Sequence, residues 1–165
     1  MTIAVCPGSF DPITLGHLNI IRRASKIFDK VRVCVMVNSD KNPLFSRDER
    51  VALIKRCAEK YGNVEVETWD DLLVSYCEKV GATIIVKGLR AVSDFDREFQ
   101  MALANRKIRQ NIETLFMSSG ERYQYLSSSI VKEMGRYGAD ISEFVPREVH
   151  ADIVQRINER KQSNG

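Results

Sequence analysis

Histidine and paired cysteines are scarce in this chain, and their scarcity excludes several classes of site. It has two histidines, and one of them, His150, lies in the predicted last helix with nothing catalytic near it in sequence. The four cysteines show no C-x-x-C spacing and fall in apolar strand or helix patterns. We therefore expect free, buried thiols in a reducing cytoplasm rather than a zinc site or a disulfide framework. These cysteines are Cys6, Cys34, Cys57 and Cys77.

Long apolar runs and a strong net charge are also missing. No run approaches the ~20 residues that span a bilayer, and the first residues lack the basic segment of a secretory signal. The net charge of +3 is too small to indicate a nucleic-acid partner, since that requires a basic stripe. It suits anionic small molecules. The length of 165 residues predicts one domain over 1–160 and a polar, disordered tail over 161–165.

Strand and helix patterns alternate along the whole chain. Apolar, β-branched segments predict five strands, at Thr2–Cys6, Val31–Val37, Val64–Val66, Thr83–Val86 and Ile112–Met117. Helices are predicted from about His17, after a Ser46–Glu49 capping box, over Leu72–Val80 and Asp94–Arg109, over Ser128–Tyr137, and from Pro146. We expect an α/β fold with a Rossmann-like, doubly wound, five-stranded parallel sheet of order 3-2-1-4-5 and C-terminal helices.

This strand order brings two distinctive segments together. Ligands of such sheets bind beyond the carboxyl ends of the strands, where the order reverses. The segments there are Cys6–His17 (CPGSFDPITLGH) and Lys87–Phe95 (KGLRAVSDF). Pro7–Gly8 predicts a turn that a ligand can approach closely, and Gly16–His17 predicts a helix N-terminus that favours an anion. There is no G-x-G-x-x-G or G-x-x-x-x-G-K-S/T motif, so a nucleotide would be held in another way.

Each of these residues, taken alone, has an ordinary structural explanation. A Gly-His pair at a helix start is usually a turn and a cap. Lys87 and Arg90 are typical of solvated strand ends, and Lys41 of a loop charge. The Asp70–Asp71 pair is more typical of a helix cap than of a metal site, and Asp71 is placed to cap the third helix. Ser127–Ser129 can simply cap a helix.

Four motifs in order nevertheless resemble one family. PGSFDPITLGH is similar to the T/H-x-G-H signature of the nucleotidyltransferase superfamily, and most similar to that of the bacterial phosphopantetheine adenylyltransferases. Lys41, Pro43 and Phe45 match its S-x-K-x-P-x-F motif, KGLR and DFxxExQ match the segment 87–100, and LSSS matches its I/L-S-S-S/T motif. The resemblance extends from Val5 to about Val149.

The resemblance implies transfer of AMP from ATP to 4′-phosphopantetheine, which gives dephospho-coenzyme A and pyrophosphate. It implies Mg²⁺ delivered with ATP, no protein metal site, and a cytoplasmic homohexamer. The implied catalytic residues are His17 and Lys41. The implied phosphopantetheine ligands are Ser9, Lys41, Leu73, Lys87 and Asn105. The implied ATP ligands are Ser9, Phe10, His17, Gly88, Leu89, Arg90, Glu98, Tyr123, Gln124, Tyr125, Leu126, Ser127, Ser128 and Ser129.

Three positions depart from the common family residues, and two alternatives stay open. Lys87 stands where many members have Arg, Arg97 where Tyr is common, and Ser9 where Thr is common. The first alternative is another small nucleotidyltransferase, acting on nicotinate mononucleotide or glycerol-3-phosphate. The second is a non-catalytic nucleotide-binding module. The KGLR and SSSIVKE segments favour the pantetheine branch, and His17 together with both lysines argues against the non-catalytic module.

Overall fold

A computed structural model describes residues 1–36 and 42–163 of the chain. Its five strands are β1 (Ile3–Gly8), β2 (Lys30–Met36), β3 (Val64–Trp69), β4 (Ile84–Leu89) and β5 (Glu113–Ser118). All neighbouring strands pair in parallel, in the order β3-β2-β1-β4-β5. The predicted topology is therefore confirmed. The last residue of the predicted second strand, Val37, lies outside the described residues.

The described residues contain six α-helices. They are α1 (Leu15–Ser25), α2 (Arg47–Ala58), α3 (Leu73–Val80), α4 (Val92–Ile108), α5 (Ser128–Arg136) and α6 (His150–Ser163). The capping box predicted for α2 is present, because the amide of Ser46 donates to Glu49 Oε2 at 2.8 Å and the amide of Glu49 donates to Ser46 Oγ at 3.3 Å. Gly81 ends α3 with φ 71°, a left-handed conformation that glycine adopts without strain. Within residues 1–36 and 42–163, no helix combines the length and the apolar character that crossing a membrane requires.

The core has two layers, one on each side of the sheet. Ala4 and Cys6 of β1 belong to the larger layer and Val5 to the smaller, because successive strand residues point to opposite faces. The four cysteines are free and buried, as predicted. Burial is the main cause that raises the pKa of three of these thiols, Cys6, Cys34 and Cys57, to about 12, and that of Cys77 to about 11.

Several predicted boundaries at the sheet are wrong. Pro7 and Gly8 continue β1 rather than forming a turn, because they pair with Cys34 and Val35 of β2. In the same way β4 continues through Lys87–Leu89, so these residues end a strand instead of following it. β3 is longer than predicted and reaches Trp69.

The helix boundaries differ too. Thr14 is the N-cap of α1, so this helix begins two residues before His17. The last helix begins at His150 and not at Pro146, because the chain first makes a turn in which the amide of Val149 donates to the Pro146 carbonyl at 3.1 Å. It then continues through Ser163, so the tail predicted to be disordered is helical over 161–163. Asp71 does not cap α3: its carboxylate accepts the amide of Leu72, the residue at the N-cap position.

Candidate active site

The segment Ser9–Thr14, called the signature loop here, leads from β1 to α1. Its second residue, Phe10, has φ 49°, which is a left-handed conformation that is uncommon outside glycine. The Phe10 ring is buried beside Gly8, and a Cβ atom at Gly8 would lie 2.9 Å from Cζ of that ring. The conformation of the loop therefore depends on the absence of a side chain at residue 8. The Asp11–Pro12 peptide bond is cis.

Thr14 and His17 bond reciprocally in the first turn of α1. The amide of Thr14 donates to Nδ1 of His17 at 3.1 Å, and the amide of His17 donates to Oγ1 of Thr14 at 3.3 Å. Because Nδ1 accepts a hydrogen bond, the neutral ring carries its proton on Nε2. The edge-on Phe10 ring lies 5.1 Å away between centroids. This packing fixes the plane of the imidazole.

Burial is the main cause that lowers the pKa of His17 to about 4, and the nearby charges of Arg90 and Lys87 add to the effect. The ring is therefore neutral at pH 7 and offers an N–H donor at Nε2. The positive charges of Arg90 and Lys87 therefore act on the His17 ring. An anion placed between these three groups would meet one neutral donor and two positive charges.

Both cations are held by carboxylates of α4. Lys87 Nζ lies 3.1 Å from Oε2 of Glu98. Arg90 is paired with both oxygens of Asp94, at 3.0 and 3.3 Å, and its Nη1 donates to the carbonyl of Leu126 at 3.0 Å. Arg90 thus connects the end of β4 to the chain just before α5. Glu98 contacts Lys87 here, a contact that the sequence did not predict.

The start of α5 is docked on the signature loop. Ser127 is the N-cap, and its hydroxyl accepts the amide of Ile130 at 3.2 Å. The Ser128 hydroxyl donates to the Pro12 carbonyl at 2.8 Å, while Ser129 is exposed. In the described part of the chain, the amides of Ser128 and Ser129 have no hydrogen-bond acceptor. They are available to an anion at this helix N-terminus.

The segment before α5 packs on the start of α1. A Cβ atom at Gly16 would lie 3.6 Å from Cβ of Tyr123, an ordinary contact distance, so the two segments are neighbours at this point. Tyr125 is exposed and contacts the Phe144 ring edge-on at 6.0 Å. Gln124 is exposed as well. The predicted ATP-binding residues of 123–129 therefore lie beside those of the signature loop.

Comparisons with known proteins assign the chain to a family. Residues 5–134 match the family model described as cytidylyltransferase-like. A protein of Clostridium botulinum strain Hall named phosphopantetheine adenylyltransferase is 52% identical over 162 residues, which cover 98% of this chain and 99% of that protein. A protein of the same name from Alkaliphilus metalliredigens is 53% identical over 146 residues, 88% of this chain and 93% of that protein. The chain belongs to the cytidylyltransferase-like family, on its phosphopantetheine adenylyltransferase branch. The family inferred from the four motifs is thus confirmed.

Solved structures of nucleotidyltransferases share the fold of this branch. The nicotinic acid mononucleotide adenylyltransferase of Plasmodium falciparum, complexed with NaAD, has a TM-score of 0.70 at 14% identity and covers 95% of this chain and 96% of its own. A putative nicotinate-nucleotide adenylyltransferase of Vibrio parahaemolyticus has a TM-score of 0.66 at 19% identity, with coverage of 94% and 96%. At such identities the likeness shows a common fold and carries no information on the substrate.

Several residues predicted from the phosphopantetheine adenylyltransferase motifs are not connected to this cluster. Leu73, the first residue of α3, is half-buried in the smaller core layer. Asn105 lies two turns after Glu98 on α4, about 10 Å along the axis, and has no side-chain hydrogen bond in the described chain. Arg97 is exposed. Lys41 lies outside the described residues.

The roles of other residues at the site were not predicted from the sequence. Asp11 and Arg50 are almost completely buried. Asp11 lies in the signature loop and accepts the amide of Leu44, and Arg50 lies on α2 and donates to the Ser9 carbonyl of the loop. Lys132 lies 3.6 Å from Asp11. A sequence signal existed for Arg50, because it is three and four residues before Leu53 and Ile54 and thus on the apolar face of α2. The PGSFDPITLGH motif includes Asp11 but did not indicate its role, because its partners Leu44 and Phe45 are more than thirty residues away.

The acidic residues that the structure describes do not form a metal cage. No group of three or more His, Cys, Asp or Glu side chains in residues 1–36 and 42–163 could hold a metal ion. Asp94 and Glu98 are engaged by Arg90 and Lys87. Asp70 lies 3.6 Å from Arg47 at an exposed position.

Proposed function

We propose that this chain transfers AMP from ATP to 4′-phosphopantetheine, giving dephospho-coenzyme A and pyrophosphate in coenzyme A biosynthesis. The observation that carries the proposal is the 52% identity over 98% of the chain to a phosphopantetheine adenylyltransferase. The geometry supports it, because a neutral N–H donor, two cations and a free helix N-terminus surround one edge of the sheet. These are the groups that an ATP triphosphate would require.

On the nucleotide side, His17 would donate from Nε2 to the α/β-phosphate region. Charge grows there as the bond between the α-phosphorus and the leaving pyrophosphate breaks, and a preorganised donor stabilises that charge. Arg90 and the free amides of Ser128 and Ser129 would hold the β- and γ-phosphates. Arg90 suits this task because its planar fork can bind two phosphate oxygens at once.

On the acceptor side, the nucleophile is an oxygen of the 4′-phosphopantetheine phosphate. The second pKa of such a phosphate is ~6, so it is largely deprotonated at pH 7 and needs no general base. It would attack the α-phosphorus in line with the departing pyrophosphate. We propose that Lys41, Lys87 and the Ser9 hydroxyl orient this phosphate. Binding would draw Lys87 toward the phosphate and away from Glu98.

The remaining ligand contacts follow from the family motifs. We propose that the pantetheine arm lies along Leu73 and Asn105. We propose that the adenosine lies near Phe10, Glu98 and the segment Tyr123–Leu126, with the backbone of Gly88 and Leu89 close to it. The exposure of Tyr125 and Gln124 leaves both side chains free to contact a nucleotide.

Mg²⁺ would accompany ATP. The donor set fits such delivery, because the acidic groups nearest the cations, Asp94 and Glu98, are already engaged in ion pairs. The ion would be held mainly by phosphate oxygens and water, as Mg²⁺ commonly is. When bound, it would neutralise charge on the phosphates.

We also propose a homo-oligomer, of six copies by analogy with the family, and a cytoplasmic location. The oligomer is supported by an exposed apolar face on α4 and on the edge strand β5, since apolar patches of this kind mark interfaces. On α4 its members Val92, Phe95, Phe99 and Leu103 recur at helical spacing and so lie on one face. Met101 and Ile108 are exposed on the opposite side of α4, and Leu115 is exposed on β5. Sedimentation measures the oligomeric state. We expect the Leu103→Glu variant to dissociate, and the Ile27→Glu variant, changed at an isolated exposed position, to remain assembled.

The four free thiols support the proposed location, because free thiols persist in a reducing compartment.

The test of the reaction is pyrophosphate release from ATP with three acceptors compared side by side. Release with 4′-phosphopantetheine, and none with nicotinate mononucleotide or glycerol-3-phosphate, supports the proposal. Preference for either of the other acceptors would assign the chain to a different nucleotidyltransferase reaction. ATP binding without release from any acceptor would indicate a non-catalytic module. His150→Ala is the matched control. It should keep full activity, whereas His17→Ala should lose activity.

A further inference from the structure

Two buried charged side chains have no part in the proposed chemistry, yet both act on the signature loop. Among the described residues, three polar or charged side chains are buried, namely Thr14 at 1% exposure and Asp11 and Arg50 at 5% each. Thr14 caps α1 and holds His17. Burying a charge is costly unless it is paired and hydrogen-bonded. The contacts of the other two residues show what their burial achieves.

Asp11 connects the signature loop to the segment that precedes α2. Its Oδ2 accepts the amide of Leu44 at 2.8 Å, and its Oδ1 accepts the amide of Phe45 at 2.9 Å. Lys132 of α5 lies 3.6 Å from Oδ2. Lys132 is one turn beyond Ser128, whose hydroxyl binds the Pro12 carbonyl. Both oxygens of Asp11 are therefore used in holding the loop in place.

Arg50 makes the matching contact from the first turn of α2. Its Nη1 donates to the Ser9 carbonyl at 2.8 Å, and its Nε is 3.3 Å from the Ser46 carbonyl. The backbone is thus held on both sides of Phe10, because Arg50 binds the carbonyl of Ser9 before it and Asp11 after it is bound by two amides. Phe10 is the one described non-glycine residue with positive φ. Such a conformation persists only where its surroundings enforce it.

We propose that Asp11 and Arg50 are positioning residues that hold Phe10 in its left-handed conformation and, through its ring, fix the imidazole of His17. The chain of contacts runs from the buried charges to the backbone on both sides of Phe10, and from the Phe10 ring to His17. Neither residue is among those assigned to the substrates. The kinetic part of this inference rests on the proposed adenylyl transfer, whereas its structural part does not.

NMR of the free protein tests the structural part. The chain has two histidines, so His150 serves as an internal reference for the His17 ring signals. In Asp11→Asn and Arg50→Met we expect the His17 signals to shift and its pKa to rise from about 4 toward the ordinary value. Lys55→Met removes an exposed charge from the same helix and should leave them unchanged. Unaltered His17 signals and titration in both folded variants would overturn the proposal.

A double-mutant cycle tests the kinetic part. Misplacing a catalytic group by about 1 Å can cost roughly a hundredfold, so Asp11→Asn should lower kcat about 10–100-fold, with KM changed less than about threefold. In a His17→Ala background the same substitution should lower kcat less than about threefold, because residues acting as one unit are not additive. Equal losses in both backgrounds would show that Asp11 does not act through His17.

Two further results separate the possible failures. If the unmodified chain releases no pyrophosphate with any acceptor, the proposed function fails, while the NMR arm still decides the positioning role. If Asp11→Asn does not fold, Arg50→Lys and Arg50→Met decide it. Lysine keeps the charge without the planar fork. The His17 signals and kcat of Arg50→Lys should therefore lie between those of Arg50→Met and those of the unmodified chain. If Arg50→Lys and Arg50→Met both give the same His17 signals and the same kcat as the unmodified chain, the proposal is overturned.

Discussion

Thr14 and His17 hold each other through two hydrogen bonds, from the Thr14 amide to Nδ1 at 3.1 Å and from the His17 amide to the Thr14 hydroxyl at 3.3 Å. Many catalytic histidines are oriented by a carboxylate, which also favours the protonated ring. Here a backbone donor orients the ring and places its proton on Nε2, while burial is the main cause that keeps the ring neutral. That state suits a donor to phosphate and does not suit a general base facing a deprotonated nucleophile.

His17→Ala should lower kcat by about 10²–10³, the usual effect of losing one preorganised donor to developing charge. ATP affinity should fall much less, because the contact strengthens in the transition state. Single-turnover kinetics and calorimetry measure the two quantities. His150→Ala, at the other histidine, should leave both unchanged. Normal kcat in a folded His17→Ala protein would remove this residue from the mechanism.

The pKa of His17 should be about 4 in the free protein and should rise when ATP binds, because an adjacent anion favours the charged ring. NMR titration measures both values.

The lowered pKa of His17 also predicts how the free energy of unfolding depends on pH. Between about 4 and 6.5 the unfolded chain binds a proton here and the folded chain does not. The free energy of unfolding should therefore fall as the pH drops through this window, and it should fall less in His17→Gln. An equal fall in both proteins would contradict the lowered pKa.

The sequence predicted the fold well because the relevant signals are local. β-branched runs, the Ser46–Glu49 box and Gly81 each mark an element by itself, and chirality then limits the order of parallel strands. The site was predicted only in outline. The motifs located His17 and Arg90, but the partners of Asp11 are more than thirty residues away in the chain. Pro146 was misread because a proline can open a turn as readily as a helix.

Gly8→Ala should lower kcat more than tenfold and also destabilise the protein, because the new Cβ would lie 2.9 Å from the Phe10 ring. Moving this ring removes the edge-on support of His17. The expected range follows from the cost of misplacing a catalytic group. Steady-state kinetics and thermal unfolding measure the two effects. Gly120→Ala is the control, since its nearest contact would be an ordinary 3.4 Å. Matching behaviour of the two variants would rule out a special role for Gly8.

Arg90→Ala should weaken ATP binding more than 4′-phosphopantetheine binding, because its proposed partners are the β- and γ-phosphates. It should also loosen the start of α5, since Arg90 donates to the Leu126 carbonyl. Asp94→Asn removes the paired charge but leaves Arg90 in place, so it should affect ATP less. Calorimetry with each ligand separately decides the matter. Equal losses for both ligands in Arg90→Ala would show the assignment to be wrong.

Lys87→Met should raise the KM for 4′-phosphopantetheine, and Lys87→Arg should be tolerated. Lys87 pairs with Glu98 at 3.1 Å in the free protein, and the incoming phosphate would replace that partner. Methionine keeps most of the packing of the side-chain stem and removes the charge. The expected loss is about 1.5–3 kcal/mol, the range for hydrogen bonds to charged groups.

The Glu98→Gln variant separates the two roles of this ion pair. If Glu98 only holds Lys87 between turnovers, its neutral form should release the lysine and lower the KM for 4′-phosphopantetheine slightly. If Glu98 instead contacts the adenosine, the KM for ATP should rise while that for 4′-phosphopantetheine stays constant. Initial rates with each substrate varied in turn distinguish these results. An unchanged KM for 4′-phosphopantetheine in Lys87→Met would mean that Lys87 is simply a strand-end charge neutralised by Glu98.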